Sequence, residues 1–157
     1  MHSAKVSQIE RRRIEAGFSA RLHEILSEDF GHEKSLEIIG GASAREAFDM
    51  GRMLSESAPG NVPSLEHFST VMDVWKAGGA LDFVDVRLDE NVWSFTVVRC
   101  AYADLYQDMG LPAGLAYNVS CIRDEHLARG YSDRLRLERS KTIVQGASAC
   151  EFRFVWT

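Results

Sequence analysis

Apolar residues recur at helical spacing through the first half of the chain and at alternate positions through much of the second. Val6, Ile9, Ile14, Phe18, Leu22, Ile25 and Leu26 approximate one stripe with a period near 3.6, which predicts a helix over residues 3–29. Ser7 followed by Glu10 is a capping-box pattern near its start. After Phe30-Gly31 a second helical pattern covers residues 33–56, with Gly40-Gly41 as an expected kink. The stretch Ala58-Pro59-Gly60-Asn61-Val62-Pro63 ends it, and Ser64 then caps a third helix carrying Leu65, Phe68, Val71, Met72 and Trp75 as far as Gly78-Gly79. These helices carry packing stripes without a convergent acid, base and nucleophile. They are expected to be scaffold or oligomer interface, with His23, His32 and His67 at surfaces or helix ends.

From Ala80 onward the period changes. Residues 80–88 and 92–99 are rich in valine and aromatics and flank Asp89-Glu90-Asn91, which predicts a β-hairpin. Residues 100–109 return to a helical pattern that ends before Gly110-Leu111-Pro112, and another helix is expected over 113–129. Residues 134–143 and 150–156 then predict a second strand pair around Gln145-Gly146-Ala147-Ser148. In the last strand Cys150, Phe152, Phe154 and Trp156 fall on one face, while Glu151, Arg153 and Val155 take the other. The whole predicts an α+β fold, with N-terminal helices packed on one face of a small, mostly antiparallel sheet. A single domain over residues 1–157 is expected, with a helical part at 1–79 and a sheet and site-bearing part at 80–157.

Composition narrows the functional classes. The chain has 157 residues, 45% of them hydrophobic, which suffices for one core but not for two ordinary domains. Its formal charge of −5 comes from interspersed acids and bases without a basic stripe, so nucleic acid is not an expected partner. No apolar run approaches the roughly 20 residues that span a bilayer, and the start MHSAKVSQIERRR places charges where a signal peptide needs its apolar segment. A cytoplasmic protein is expected. There the three cysteines, Cys100, Cys121 and Cys150, should be reduced, which leaves them as thiols, ligands or core filler.

The chemically loaded residues lie in the second half. Cys100 sits where a strand hands over to a helix, whose positive end favours a thiolate. Cys121 and Asp124 are three residues apart and share a face if the helix continues through them. Cys150 opens the last strand at an end of the sheet. The competing reading is simple burial, since free cysteine is among the residues most often found in cores and no compact C-x-x-C spacing is present. Arg123, Lys141 and His126 are the neighbouring polar groups that can serve as anion or proton partners, with surface positions as their ordinary alternative.

The run over residues 97–154 resembles the signature region of the L-2-amino-thiazoline-4-carboxylic acid hydrolase family. Four blocks carry the likeness: Arg99-Cys100-Ala101-Tyr102, Leu105 to Gly110 with Leu111-Pro112, Cys121-x-x-Asp124, and Lys141-Thr142 followed by Gly146 and Cys150-Glu151-Phe152-Arg153-Phe154. The helical first half fits that family's layout without a motif of its own. The resemblance implies a hydrolase that opens a cyclic thiazoline amidine, with Cys100, Cys121, Asp124 and Cys150 as catalytic candidates. The glycine turn followed by cysteine and an aromatic strand is also similar to four-vinyl-reductase-like small-molecule-binding domains. That second likeness implies a pocket in which cysteines and a carboxylate can hold a divalent metal such as zinc, manganese or iron, in sensors as well as enzymes.

Hydrolysis of a cyclic carbon–nitrogen bond needs an activated nucleophile, a proton for the leaving nitrogen and a partner for any substrate carboxylate. Two routes are open at this level. Cys100, Cys121, Asp124 and Cys150 can bind a metal that activates a water, or Cys100 can attack directly while Asp124 or His126 handles the proton. Arg123 and Lys141 are the candidates for a substrate carboxylate. The expected function is hydrolysis of a small cyclic polar metabolite such as a thiazoline carboxylate. The alternative is a non-catalytic small-molecule-binding or sensor module, and the apolar stripes of the N-terminal helices are compatible with a homodimer.

Overall fold

A computed structural model describes residues 5–157. The first helix, α1 (Gln8–Phe30), begins as its pattern predicts: the Ser7 hydroxyl accepts a hydrogen bond from the Glu10 N–H at 3.2 Å. Residues 3 and 4 of the expected helix lie outside the described residues. Gly31, with φ of +87°, reverses the chain into α2 (His32–Glu56), the left-handed region being open to glycine at little cost.

The kink expected at Gly40-Gly41 is absent, and α2 runs unbroken. Its glycines serve packing instead. Gly51 faces the backbone of Leu127 to Tyr131, and Gly130 faces the backbone of Phe48, so α2 and α7 (Ile122–Tyr131) touch main chain to main chain. A methyl group at Gly130 would overlap the Phe48 carbonyl oxygen, an atom of a rigid helix that cannot swing aside. Gly130→Ala is therefore expected to destabilise the fold by about 3 kcal/mol or more, since overpacking against backbone leaves only helix displacement as relief. Urea denaturation measures this, and a loss below about 1 kcal/mol would show that the two helices can separate freely.

The third predicted helix is split at Thr70 into α3 (Leu65–Ser69), capped by Ser64, and α4 (Val71–Trp75). Gly78 and Gly79, both at positive φ, end it and lead into the sheet. Strands β1 (Leu81–Leu88) and β2 (Val92–Cys100) form the expected hairpin, its turn held by the Asp89 carboxylate accepting from the N–H groups of Asn91 and Val92 at 2.9 and 2.8 Å. With β3 (Leu135–Glu138) and β4 (Cys150–Trp156) they make one antiparallel sheet in the order β1-β2-β4-β3. The fold class is α+β.

Between the hairpin and β3 lie α5 (Ala101–Asp108), α6 (Ala113–Ala116) and α7, with a π turn over Tyr117–Cys121 inside what the pattern predicts as one regular helix. The strand expected over residues 134–143 stops at Glu138. Beyond it Arg139 leaves the ladder to donate to the Asp124 carboxylate and the Cys121 carbonyl at 2.6 and 2.8 Å. Residues 139–149 thus form a long excursion, containing a short 3-10 turn at Ile143–Gln145, in place of a tight hairpin.

Two apolar clusters meet near the end of β2. One joins Phe68, Met72, Trp93, Phe95, Leu127, Tyr131, Phe152 and Phe154 between the sheet and helices α3, α4 and α7. Phe95 and Phe152, cross-strand partners, stack with centroids 4.7 Å apart. The other joins α1 and α2 to α5 and α6 through Ala16, Ile39, Tyr106 and Leu115. His23, expected at a surface, is instead buried on α1, with Nδ1 2.7 Å from the Ser35 hydroxyl of α2. Burial and the adjacent His32 hold its pKa below the ordinary histidine range.

Candidate functional site

Where the clusters meet, the packing leaves a cavity of about 110 Å³. Cys100, Cys121, Asp124 and Cys150 all line it. The topology explains the convergence. Cys100 is the last residue of β2 and the N-cap of α5, while Cys150 is the first residue of β4, paired to β2 at Val97, three residues before Cys100. Cys121 and Asp124 lie across the junction of the π turn and α7, so the widened turn and the helix that follows present both to the same space.

The three thiols differ in their surroundings. Burial pushes Cys100 up to about 11, opposed by the backbone N–H groups of Ala103 and Tyr102 at the start of α5. Burial also raises Cys121, and the negative charge of Asp124 adds to the effect. Cys150 is raised by burial, while the Ile143 N–H, 3.1 Å from its sulfur, pulls the other way. At neutral pH all three are protonated thiols. Cys100 sits at the N-terminus of α5, where the N–H groups of Tyr102 and Ala103 favour its charged form.

Asp124 and Arg139 form a buried ion pair, their side chains 22% and 6% exposed. Burial raises the Asp124 carboxyl above the ordinary carboxylate range, against the pull of Arg139, Arg12 and Arg123. Burial likewise opposes the charge on Arg139, but Asp124 outweighs it and raises that pKa. The Arg139 guanidinium also lies over the Phe152 ring, 4.8 Å from its centroid. Arg139 thereby ties the excursion after β3 to α7 and to the aromatic strand.

Two further guanidiniums reach the cavity. Arg123, buried, donates to the Glu46 carboxylate on α2 at 2.5 Å. Arg12, buried on α1, pairs with Glu15. Neither Glu15 nor Glu46 lines the cavity, so its wall carries Arg12, Arg123 and Arg139 against the one carboxylate of Asp124. Val74, Trp75, Leu81, Val97, Leu127 and Phe152 supply an apolar remainder.

Of the polar partners read from the sequence, Arg123 lines the cavity, whereas His126 is half-buried outside the lining and Lys141 is exposed on the excursion. Arg139 and Arg12 were not among the candidates. Arg139 was hidden by the expected continuation of β3, which placed it as an ordinary strand charge. Arg12 had a readable signal: it shares a helix face with Ala16 and His23, both buried, and is the one member of Arg11-Arg12-Arg13 on that face.

Among the described residues, no group of three or more His, Cys, Asp or Glu side chains is gathered closely enough to hold a metal ion. The Asp124 carboxylate is engaged by Arg139 instead. This donor set does not fit zinc, manganese or iron as placed. No helix among the described residues is long and apolar enough to cross a membrane.

A family model described as L-2-amino-thiazoline-4-carboxylic acid hydrolase matches residues 11–154, nearly the whole chain. Among solved structures, a trafficking protein particle complex subunit 3 from Naegleria fowleri, covalently bound to palmitic acid, is similar at 14% identity. It superposes with a TM-score of 0.52, covering 94% of this chain and 95% of that one. That likeness is one of fold. A search of curated proteins finds no match.

Proposed function

Because the chain belongs to the L-2-amino-thiazoline-4-carboxylic acid hydrolase family, we propose that it is a hydrolase that opens a carbon–nitrogen bond of a small cyclic carboxylate, with Cys100 as nucleophile. The observation that carries this reading is the shared cavity of Cys100, Cys121, Asp124 and Cys150. Cys100 Sγ attacks the ring carbon, the N–H groups of Tyr102 and Ala103 stabilising the charge that builds on sulfur as its proton leaves. Asp124, whose carboxyl burial makes more basic than usual, accepts that proton and delivers it to the ring nitrogen as the carbon–nitrogen bond breaks. Water then adds to the same carbon, the carbon–sulfur bond breaks, and the thiol regains a proton. One water is consumed per turnover.

Arg123 is the group assigned to the substrate carboxylate, because Glu46, its partner, is half-exposed and can yield. Arg139 stays with Asp124 and orients it. The buried thiols of Cys121 and Cys150 shape the wall beside the nucleophile. His126 and Lys141, outside the lining, take no step.

The test is incubation of the purified protein with 2-amino-thiazoline-4-carboxylate and a panel of cyclic amidines and imides, following ring opening by mass spectrometry. Gain of one water by at least one carboxylate-bearing member is expected. No turnover across the panel would overturn the assignment and leave the second reading.

That second reading is a ligand-binding module, favoured by the apolar remainder of the lining and by thiols that are protonated at rest. Palmitate is a reasonable probe, since palmitic acid is the group bound to the fold relative. Trp75 lines the cavity, so saturable quenching or enhancement of its fluorescence by palmitate, without turnover of the panel, would support binding over catalysis.

A further inference from the structure

The proposed chemistry uses Arg123 and Arg139 and leaves Arg12 idle. Its side chain is buried on α1 and lines the cavity, yet among the described residues it makes one hydrogen bond, from Nη1 to the Glu15 carboxylate. Nε and Nη2 donate to no described residue. A buried guanidinium with donors left over is costly unless something accepts from them. Arg123 is built alike: Nη2 serves Glu46 and the Met50 sulfur, while Nε and Nη1 have no described partner. Arg139 differs, its two terminal nitrogens being taken by Asp124 and the Cys121 carbonyl.

The acids outside the wall do not cancel this pattern. Glu15 and Glu46 balance the formal charges of Arg12 and Arg123, but each engages one nitrogen, and their side chains are 28% and 51% exposed, so water shares them. Within the described lining, the one carboxylate is Asp124, already held by Arg139. Two uncharged polar groups stand with Arg12. Gln8 lies four residues before it, on the same face of α1, and also lines the cavity. Ser120, in the π turn, lines it too, and its hydroxyl approaches that of Tyr106, which is enclosed without a hydrogen-bond partner among the described residues. Burial raises the Tyr106 pKa, and Ser120 and Arg12 both oppose that rise, which places the two near one hydroxyl.

We propose that Arg12, with Gln8 and Ser120 beside it, holds a second carboxylate of the ligand, so that the cavity selects cyclic dicarboxylates over monocarboxylates. Arg123 takes one carboxylate and Arg12 the other, while the apolar remainder of the lining contacts the ring. The two guanidiniums enter from different helices, α1 and α7. Two anchors fix a ring against rotation where one does not, and this orients the reacting carbon relative to Cys100. The inference rests on the reading that the substrate occupies this cavity with a carboxylate on Arg123.

Carbocyclic probes separate binding from turnover, since they have no carbon–nitrogen bond to open. Cis-cyclopentane-1,3-dicarboxylate and cyclopentanecarboxylate are titrated calorimetrically into the full chain. The dicarboxylate is expected to bind about tenfold more tightly or better, the effect of one further charge-assisted contact. Equal affinities, or no binding of either at about 10 mM, would overturn the proposal. In Arg12→Gln the preference should shrink to about twofold or less, and a variant that keeps the full preference would refute the assignment. The double variant Arg12→Gln with Glu15→Gln leaves no unpaired charge and should show the same loss. A fall in both affinities alike, with the preference intact, would mark Arg12 as structural and remove the subsite. Ring opening of the amidine panel without a dicarboxylate preference would keep the hydrolase and discard the subsite. The preference without ring opening would keep the subsite, in a binding module.

Discussion

Replacing Arg139 by Ala is expected to destabilise the protein by about 3–5 kcal/mol, the range for breaking a buried ion pair from one side. The Asp124 carboxyl stays behind, enclosed, with its strongest partner gone. Two other contacts vanish in the same change: the bond to the Cys121 carbonyl, at 2.8 Å, and the guanidinium over Phe152. The excursion over residues 139–149 then loses its main tie to α7. Arg139→Lys keeps the charge but not the forked geometry, so it should recover only part of the loss. The decisive comparison is Asp124→Asn combined with Arg139→Met, which removes both charges and fills the space. That double variant should be more stable than Arg139→Ala, because no uncompensated charge remains buried. Urea denaturation of the four proteins reads this out. If Arg139→Ala cost less than about 1 kcal/mol, the pair would be behaving as a surface contact and its place in the cavity wall would be mistaken.

Cys100→Ser is expected to lower turnover of any accepted substrate about a thousandfold or more, since a hydroxyl in the same position is a far weaker nucleophile and the carboxylate that lines the cavity with it, Asp124, is a weak base for a hydroxyl. The accompanying loss of stability should be about 1 kcal/mol, the burial of a hydroxyl in place of a thiol. A core-only thiol would show the reverse, with stability falling and turnover unchanged. The pH dependence gives an independent check. Burial holds Cys100 near 11, so at pH 7 only about one sulfur in ten thousand is ionised. Alkylation of the native protein by iodoacetamide should therefore be slow at neutral pH and climb steeply toward pH 11, with the modified residue identified by peptide mapping. The sign of the stability effect follows: the folded state keeps a proton that an unfolded cysteine releases near 9.0, so the Cys100 contribution is complete below pH 9 and is lost as pH rises to about 11. Fast alkylation of Cys100 at pH 7 would mean an ionised resting thiol and a different activation from the one proposed.

Much of the architecture was legible because it rests on local signals. The helical extents of α1 and α2, the caps at Ser7 and Ser64, the hairpin around Asp89-Glu90-Asn91 and the alternation from Cys150 to Trp156 each depend on neighbours within a few turns or one strand, whereas the face that α1 buries, through Arg12, Ala16 and His23, is not the apolar stripe read from its sequence, which stays exposed at Ile14, Phe18 and Ile25. The α+β class follows from them. The blocks at Cys100, Cys121-x-x-Asp124 and Cys150 were visible as residues of a family-like pattern, and the chain does belong to that family.

What the sequence could not supply were the meetings between distant segments. Gly40-Gly41 reads as a weak point in a helix, and only the close approach of Asn118 to Gly40 shows why a side chain is missing there. His23 reads as a surface residue until Ser35 closes over it. Arg139 reads as the continuation of β3, yet a buried carboxylate fifteen residues earlier draws it out of the ladder. The sequence by itself determined which elements form and which residues bear chemistry, since hydrophobic period, capping and turn residues act over short range. Only the tertiary structure decided which charges are enclosed together, because the strength of an ion pair and the protonation of a thiol depend on how much water the packing of remote segments removes.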